Sequence, residues 1–460
     1  MSAQLITSKR ENPQIVIDNF KFSKAYEGKN KVRWRCINKV CDAKVYTKKN
    51  SDNEVFYTEN EHHHEAVNEN TINRQIVNTS CKRKALEDVS TRPKKIILQE
   101  LIHNECAKEI TVNDINRIRK NMYEKRRKTL PANSKSISEV HQALNVLNIE
   151  TKQKENFLLL NNEKENIIIF SCYTNLQFLT SVDTVYMDGT FDYCTRFFMQ
   201  MFTIHGFQNG HYVPLIFCLL PNKLTSSYVF ALRSICQKCK DMNLIFSPAN
   251  VTIDYEKAII NAVTEVWPES NIIGCRFHLT NSWWKKIQSL GLSIEYKEKN
   301  SEIGKWLRHT FGLLFLDAQE VSDCFSYDFM SDRPVNELLT KYSDYLVDNY
   351  IGDDCSYPPS LWASLSASLT RTTNACESFH AVFKDHFYKR TPHIIPWITV
   401  LIENIQTNVY VTLKSINECK TPRKNMNDKR KRNEELISKY QRDEISRYEF
   451  VKLISNHYAK

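Results

Sequence analysis

The stretch that decides the fold is residues 184–220, TVYMDGTFDYCTRFFMQMFTIHGFQNGHYVPLIFCLL. It holds three runs rich in β-branched and aromatic residues, Thr184 to Met187, Phe197 to Phe207 and Tyr212 to Leu220. Such side chains suit a pleated, half-buried surface. Short polar turns, Asp192 to Arg196 and Gln208 to Gly210, separate the runs, so an antiparallel meander is predicted. Upstream, Ile167 to Phe170 reads as another strand. Downstream, Ser226 to Cys239 has helical apolar spacing, Val251 to Ile253 is strand-like, Glu256 to Val266 helical and Ile272 to Cys275 strand-like. The order β-β-β-α-β-α-β builds a mixed sheet covered by helices. After Trp283 the chain is expected to be helical to its end, with a strongly basic tail from Arg423 to Arg432.

Outside this region the composition sets bounds. At 460 residues the chain exceeds what one hydrophobic core organises, so two or more domains are expected. Lys and Arg number 63 against 53 Asp and Glu, a net charge of +10, which favours polyanionic partners over acidic small molecules. The start, MSAQLITSKRENPQ, has no apolar core of a signal peptide, and the longest apolar run, Val213 to Leu220, is too short to span a membrane. A soluble, non-secreted protein is the expectation, with its 14 cysteines reduced and mostly filling core space.

Within 14–66, short apolar patches (Ile15 to Ile17 and Phe20, Val45 and Tyr46, Val55 to Tyr57) read as strands around a small core. From Glu65 to Val89 the chain turns polar and reads as a flexible linker ending in Lys82-Arg83-Lys84, followed by Arg92-Pro93-Lys94-Lys95. The basic cluster fits either solvated surface or nuclear import and DNA contact. A helical stretch from Ile96 to about Lys128 carries Arg117, Arg119, Lys120, Lys125, Arg126, Arg127 and Lys128, a series suited to phosphate contacts or to a solvated face.

Two constellations carry chemistry. The first is Cys36-x4-Cys41 followed, after twenty residues, by His62-His63-His64. Two thiolates and two imidazoles match tetrahedral zinc. In an extended segment His62 and His64 face one side and His63 the other, so Cys36, Cys41, His62 and His64 are the expected ligands of one structural ion. The alternative is two ordinary thiols and a surface histidine run. Phe22, Tyr26, Trp34, Cys36, Cys41, His62 and His64 fall in the order of a FLYWCH-type zinc finger, which this segment resembles. The resemblance implies a module that binds DNA or protein.

The second is a set of acids. Asp188 follows the apolar run Val185 to Met187, and Asp254 follows Val251 to Ile253. If the fourth strand lies parallel beside the first, both carboxylates emerge at one sheet edge, where a divalent cation could bridge them. Singly, Asp188 also fits an Asp-Gly turn, and Asp254 a helix cap. Glu377 sits in an amphipathic helical segment, Arg371 to Lys384, with Phe379, Val382 and Phe383 predicted to face the core; alone it fits a solvated surface. Of the remaining pairs, Cys236 and Cys239 read as core, and Trp283-Trp284 as packing or as a base-stacking aromatic. Cys275-x-x-His278 alone reads as core packing.

Taken together, Asp188-Gly189-Thr190-Phe191, Asp254-x-Glu256-Lys257-Ala258, Cys275-x-x-His278 and Thr373-Asn374-x-x-Glu377-Ser378 resemble a Mutator-like element (MULE) transposase domain over roughly residues 140 to 410. The resemblance implies an RNase H-like fold, a catalytic triad of Asp188, Asp254 and Glu377, two Mg2+ or Mn2+ ions, and cut-and-paste movement of double-stranded DNA. It also implies that His278, close to that site, orients a phosphate or a metal-bound water. The expected organisation is an α+β multidomain chain: a zinc finger at 14–66, a basic flexible linker at 67–95 and a helical, basic DNA-contacting region at 96–150. An RNase H-like domain at 151–410 follows, with a helical insertion at about 283–362, and then a basic helical tail at 411–460. A nuclear, DNA-binding homo-oligomer is expected. Two other readings stand beside the transposase: a domesticated zinc-finger protein acting in transcription regulation with an idle core, and a cellular RNase H-like nuclease, which leaves the N-terminal module unexplained.

Overall fold

Alternation builds the first sheet. In β4 (Lys31–Cys36) Val32, Trp34 and Cys36 are buried while Lys31, Arg33 and Arg35 are exposed, the period-two pattern of a strand with one face on a core. A computed structural model describes residues 3–8, 11–49, 51–88, 91–103, 110–129, 134–387, 389–421 and 424–456. The chain divides into two units, Met1–Asn133 with His386–Tyr388, and Ser134–Asp385 with Lys389–Lys460. Arg423, residues 104–109 of the expected basic helix and Val89 lie outside the described residues.

The first unit opens with six antiparallel strands in chain order: β1 (Gln4–Thr7), β2 (Pro13–Ile17), β3 (Phe20–Glu27), β4, β5 (Lys44–Lys48) and β6 (Ser51–Glu59). β1 precedes the 14–66 stretch in which strands are expected, and its Ile6 is fully buried. Asp18 and Asn19, at φ 48° and 63°, form the two-residue turn from β2 to β3, the left-handed pair that a type I′ hairpin requires. Ile15, Phe22, Val32, Trp34 and Val45 fill one face, and the Trp34 indole N–H donates to Thr47 Oγ1 at 2.9 Å.

The segment expected as a flexible linker is helical instead. α1 (Glu69–Glu87) starts behind Asn68, whose side chain accepts the Asn70 N–H, and α2 (Pro93–His103) follows. Polar composition conceals a narrow apolar stripe. Val77, Cys81 and Ala85 pack on Ile96, Ile97, Ile118 and Met122, while Ile72 meets Ile6 and Val16 of the sheet. Tertiary burial of this kind, more than intrinsic propensity, holds a helix together. The single helix expected from Ile96 to Lys128 is also two, because a capping box starts α3 (Val112–Thr129). Thr111 Oγ1 accepts the Asp114 N–H at 3.3 Å, and Asp114 Oδ2 accepts the Thr111 N–H at 3.2 Å.

The second unit holds the mixed α/β core. Its strands are β7 (Leu158–Asn162), β8 (Ile167–Phe170), β9 (Thr184–Thr190), β10 (Gln200–Gln208), β11 (His211–Leu220), β12 (Asn250–Ile253) and β13 (Asn271–Gly274), in the order β13-β12-β9-β10-β11-β8-β7. β9, β10 and β11 form the expected antiparallel meander, and β12 and β13 add in parallel beside β9. β10 begins three residues later than the apolar run suggests, since Phe197 takes φ 81° and breaks the strand. The helices are α4 (Ile137–Val146), α5 (Tyr173–Leu179), α6 (Thr225–Asp241), α7 (Lys257–Val266) and α8 (Arg276–Ser289), followed by a helical region to the C-terminus. α4 lies in this unit, which starts at Ser134.

The insertion has its own core, in which Trp283, Trp306, Tyr342 and Trp362 pack with Phe450 and Ile454 of the helix Arg447–Ser455. Trp283 is fully buried, edge-on to Trp362 at 5.6 Å, so it packs and does not stack on bases; Trp284 is half-buried against Tyr296. Cys239 is buried and Cys236 half-buried in α6, and every described cysteine is a free thiol. Among the described residues, no helix is long and apolar enough to cross a membrane.

Arg126 departs from the role its neighbours suggest. It is 4% exposed, and its guanidinium donates to the carbonyls of Ala85 at 2.9 Å and of Asp88 and Thr91 at 2.8 Å. It thus serves the end of α1, whose last carbonyls lack helical partners. Replacing it with Met is expected to cost the first unit about 2–3 kcal/mol, whereas Arg127→Met, at an exposed position, should stay within about 0.5 kcal/mol. Urea unfolding followed by helical circular dichroism reads the difference.

Candidate functional site

In the first unit the loop after β4 presents the thiols. The Cys36 N–H donates to the Ala43 carbonyl at 3.0 Å and the Cys41 N–H to the Asn38 carbonyl at 3.1 Å, a tight turn that brings Cys36 and Cys41 to one side. His62 and His64 follow β6 in a segment without strand pairing, both half-buried, while His63 is exposed. One ligand atom from each of Cys36, Cys41, His62 and His64 lies within 4.8 Å of all the others. Cys36 Sγ is 3.2 Å from His64 Nε2, Cys41 Sγ 3.4 Å from His62 Nδ1, and the two imidazole nitrogens are 3.3 Å apart. Zinc bonds of about 2.3 Å to sulfur and 2.0–2.1 Å to nitrogen at tetrahedral angles give edges of about 3.3–3.8 Å, so the donor set has the size of a zinc site.

The surroundings fix the ligand atoms. His64 Nδ1 donates to the Glu65 carbonyl at 2.9 Å, which leaves the Nε2 lone pair for an ion. Phe20 stacks on the His62 ring at 3.6 Å, and burial together with the His64 charge holds His62 below its ordinary pKa, in the neutral form a metal requires. Burial, reinforced by the neighbouring Cys41, pushes the Cys36 thiol up, a cost that a divalent cation offsets.

In the second unit the acids converge. Asp188 lies inside β9, opposite Thr203 of β10, and is 8% exposed. β9 runs on to Thr190, so Asp188-Gly189 is strand and not a turn. Asp254 follows β12, whose register on β9 pairs Asn250 with Thr184 and Thr252 with Tyr186; continued, it brings Asp254 level with Asp188. Asp254 does not cap α7, whose N-cap is Glu256; its Oδ1 accepts the adjacent Tyr255 N–H at 2.6 Å. Glu377 stands in the first turn of the helix Asn374–Asp385. That helix buries Cys376 and Phe383 and half-buries Phe379 against Phe217, but Val382, expected in the core, is 58% exposed.

His278, in the first turn of α8, joins two of the acids. Its Nδ1 is 3.4 Å from Asp254 Oδ1 and its Nε2 3.1 Å from Glu377 Oε1. These are ion-pair distances without hydrogen-bond geometry, and both His278 Nδ1 and Glu377 Oε1 are buried atoms with no hydrogen bond among the described residues. Burial raises the pKa of Asp254 and of Glu377; Asp188 adds to both, and Asp254 adds to Glu377, against the opposing charge of His278. Burial works against a charged His278, yet Cys275, Asp254 and Glu377 outweigh it and bring its pKa to about 9. Burial and like charge thus act together on Asp254 and Glu377, while among the described residues the cluster whose ligand atoms lie close enough for one ion is Cys36, Cys41, His62 and His64.

Cys275 has a different role from His278. Its sulfur accepts the Thr373 N–H at 3.2 Å and the Thr373 hydroxyl at 3.3 Å, its N–H donates to the Ile253 carbonyl, and the Arg276 N–H donates to the Arg371 carbonyl. The start of α8 is thereby fastened to the start of the glutamate helix. Sequence reasoning missed His380, whose Nδ1 is 3.3 Å from Asp188 Oδ2 and whose Nε2 is 3.0 Å from Thr203 Oγ1. The signal was present: His380 is three residues from Glu377 on one helix face.

Comparison with known families meets this geometry. Residues 184–282 match the MULE transposase domain, and residues 5–64 match the FLYWCH zinc finger domain. The chain carries a MULE transposase domain behind an N-terminal FLYWCH zinc finger. The MULE match covers Asp188, Asp254, Cys275 and His278 and implies the transposase family, but it ends ahead of Glu377. The FLYWCH match takes in all of β1 but its first residue and all four zinc-type donors, which are consistent with a structural zinc. Both domains suggest DNA binding. Comparison with curated proteins returns no match.

The FLYWCH donor set makes a selective claim about the histidine run. His63→Ala is expected to keep about one zinc per chain, whereas His62→Ala should lose most of it after dialysis. Metal analysis of the purified full chain checks both.

Proposed function

We propose that this chain is a DNA transposase that cleaves and transfers strands at element ends, with Asp188, Asp254 and Glu377 as its catalytic acids. What supports the reading is that Asp254 and Glu377 flank His278 while the register of β12 on β9 brings Asp254 level with Asp188, although the three come from a strand, the end of the next parallel strand and a helix beyond the insertion. Two Mg2+ or Mn2+ ions held by these carboxylates would supply activation of the attacking oxygen and charge neutralisation on the leaving one. His380 orients Asp188 through its Nδ1 and is itself fixed by Thr203. His278, between Asp254 and Glu377, positions the two carboxylates and orients a phosphate oxygen or a metal-bound water. At each step a P–O bond forms to the incoming oxygen as the P–O bond to the departing one breaks. Water is the first nucleophile, and the freed 3′-hydroxyl is the second. The substrate is double-stranded DNA, the setting the nucleus, and the working form a homo-oligomer by analogy with other transposases.

One observation favours a second reading. His278 already sits between Asp254 and Glu377 as a built-in cation, as suits a domesticated DNA-binding protein whose core serves as scaffold. Titration with Mg2+ separates the two: a scaffold binds none at this site, and Asp254→Ala then changes nothing. For the transposase, purified chain with Mn2+ is expected to nick DNA bearing its terminal repeats. Asp188→Asn and Asp254→Asn should each slow nicking at least about a hundredfold. Wild type that fails to nick, with Asp188→Ala behaving identically, removes the enzymatic reading.

A further inference from the structure

A cleft of about 510 Å³ lies in the first unit, between the β-sheet and helices α1 and α3. Helical spacing supplies its walls. Arg74 and Lys82 are eight residues apart on α1, and Arg117, Lys125 and Lys128 recur along one face of α3. The floor is Lys21 of β3, paired in register with Val16 on the sheet face that α1 covers. Among the described residues these six cations meet three lining carboxylates, Glu11, Asp114 and Glu124. Two of the acids are engaged locally, Asp114 with Arg74 at 3.1 Å and Glu11 with Lys125 at 2.7 Å.

Lys21 is the informative residue. It is 8% exposed, lines the cleft, and its ammonium has no hydrogen bond or ion pair among the described residues. Its stem is buried while its ammonium opens on the cleft, partly desolvated. Burial, with the Arg74 charge beside it, holds its pKa below the ordinary lysine value. Lys82 and Lys128 likewise make no ion pair among the described residues, though both act on Glu11 from a distance. An anion with several oxygens and more than one charge relieves all of them at once; a single carboxylate does not.

We infer that this cleft is a phosphate-binding site, with Lys21 at its base and Arg117, Lys82 and Lys128 at its rim. The phosphates belong either to a DNA backbone tracking across the rim or to a free polyphosphate seated within. The inference goes beyond strand cleavage and holds whether or not the three acids bind cations.

The test uses the full chain, a fluorescent 20-base-pair duplex (about two turns) of unrelated sequence and inorganic triphosphate, with binding followed by anisotropy and calorimetry. Lys21→Gln and the rim double variant Arg117→Gln/Lys128→Gln are each expected to weaken binding about tenfold or more. The double variant should also flatten the dependence of log K on log salt by up to about 1.8 if both residues contact duplex phosphates. Loss for duplex supports a backbone site, and loss for triphosphate alone supports a small-ligand site. Zinc content and circular dichroism report folding; if Lys21→Gln fails there, the rim variant decides. Unchanged affinity for both probes in folded variants overturns the inference. Because nicking is measured separately, its absence leaves this result untouched.

Discussion

The parallel pairing of β12 on β9 is the constraint on which the second unit turns. Two adjacent parallel strands that are level at Asn250 and Thr184 deliver their acids side by side at one end of the sheet, and carboxylates so placed repel. The protein answers with position: His380 from one helix stands beside Asp188, and His278 from another between Asp254 and Glu377. Without the crossover through α6 that returns β12 alongside β9, Asp254 would have no reason to meet Asp188.

The core was legible because its signals are local. Three apolar runs with polar turns give a meander, and a helix between strands gives a parallel return, so the place of Asp254 just after β12 could be anticipated, whereas Asp188, expected at a strand end, lies inside β9. Glu377 was legible only through the motif around it, since nothing local says which surface a distant helix covers. Val382 shows the same limit: its helical spacing promised burial, but the half-buried Phe379 and buried Phe383 take the packing, leaving Val382 in solvent.

The first unit was read less well, for related reasons. Its donor spacing is strong, since two cysteines and two alternate histidines leave few other uses. Polar composition, however, does not report the apolar stripe of α1, which is visible only once α2 and α3 are present to cover it. Arg126 looks like its basic neighbours in sequence, yet it alone turns inward to three carbonyls. A long cation can serve phosphate or backbone, and only tertiary geometry chooses.

Cys275 fastens both ends of a long excursion. The chain leaves the sheet there, runs through the insertion with a core of its own, and returns at Thr373, whose N–H and hydroxyl both settle on the Cys275 sulfur. The two feet share one sulfur, so the first turn that carries His278 and the first turn that carries Glu377 are held in step by a short local clasp and not by the long path of chain between them.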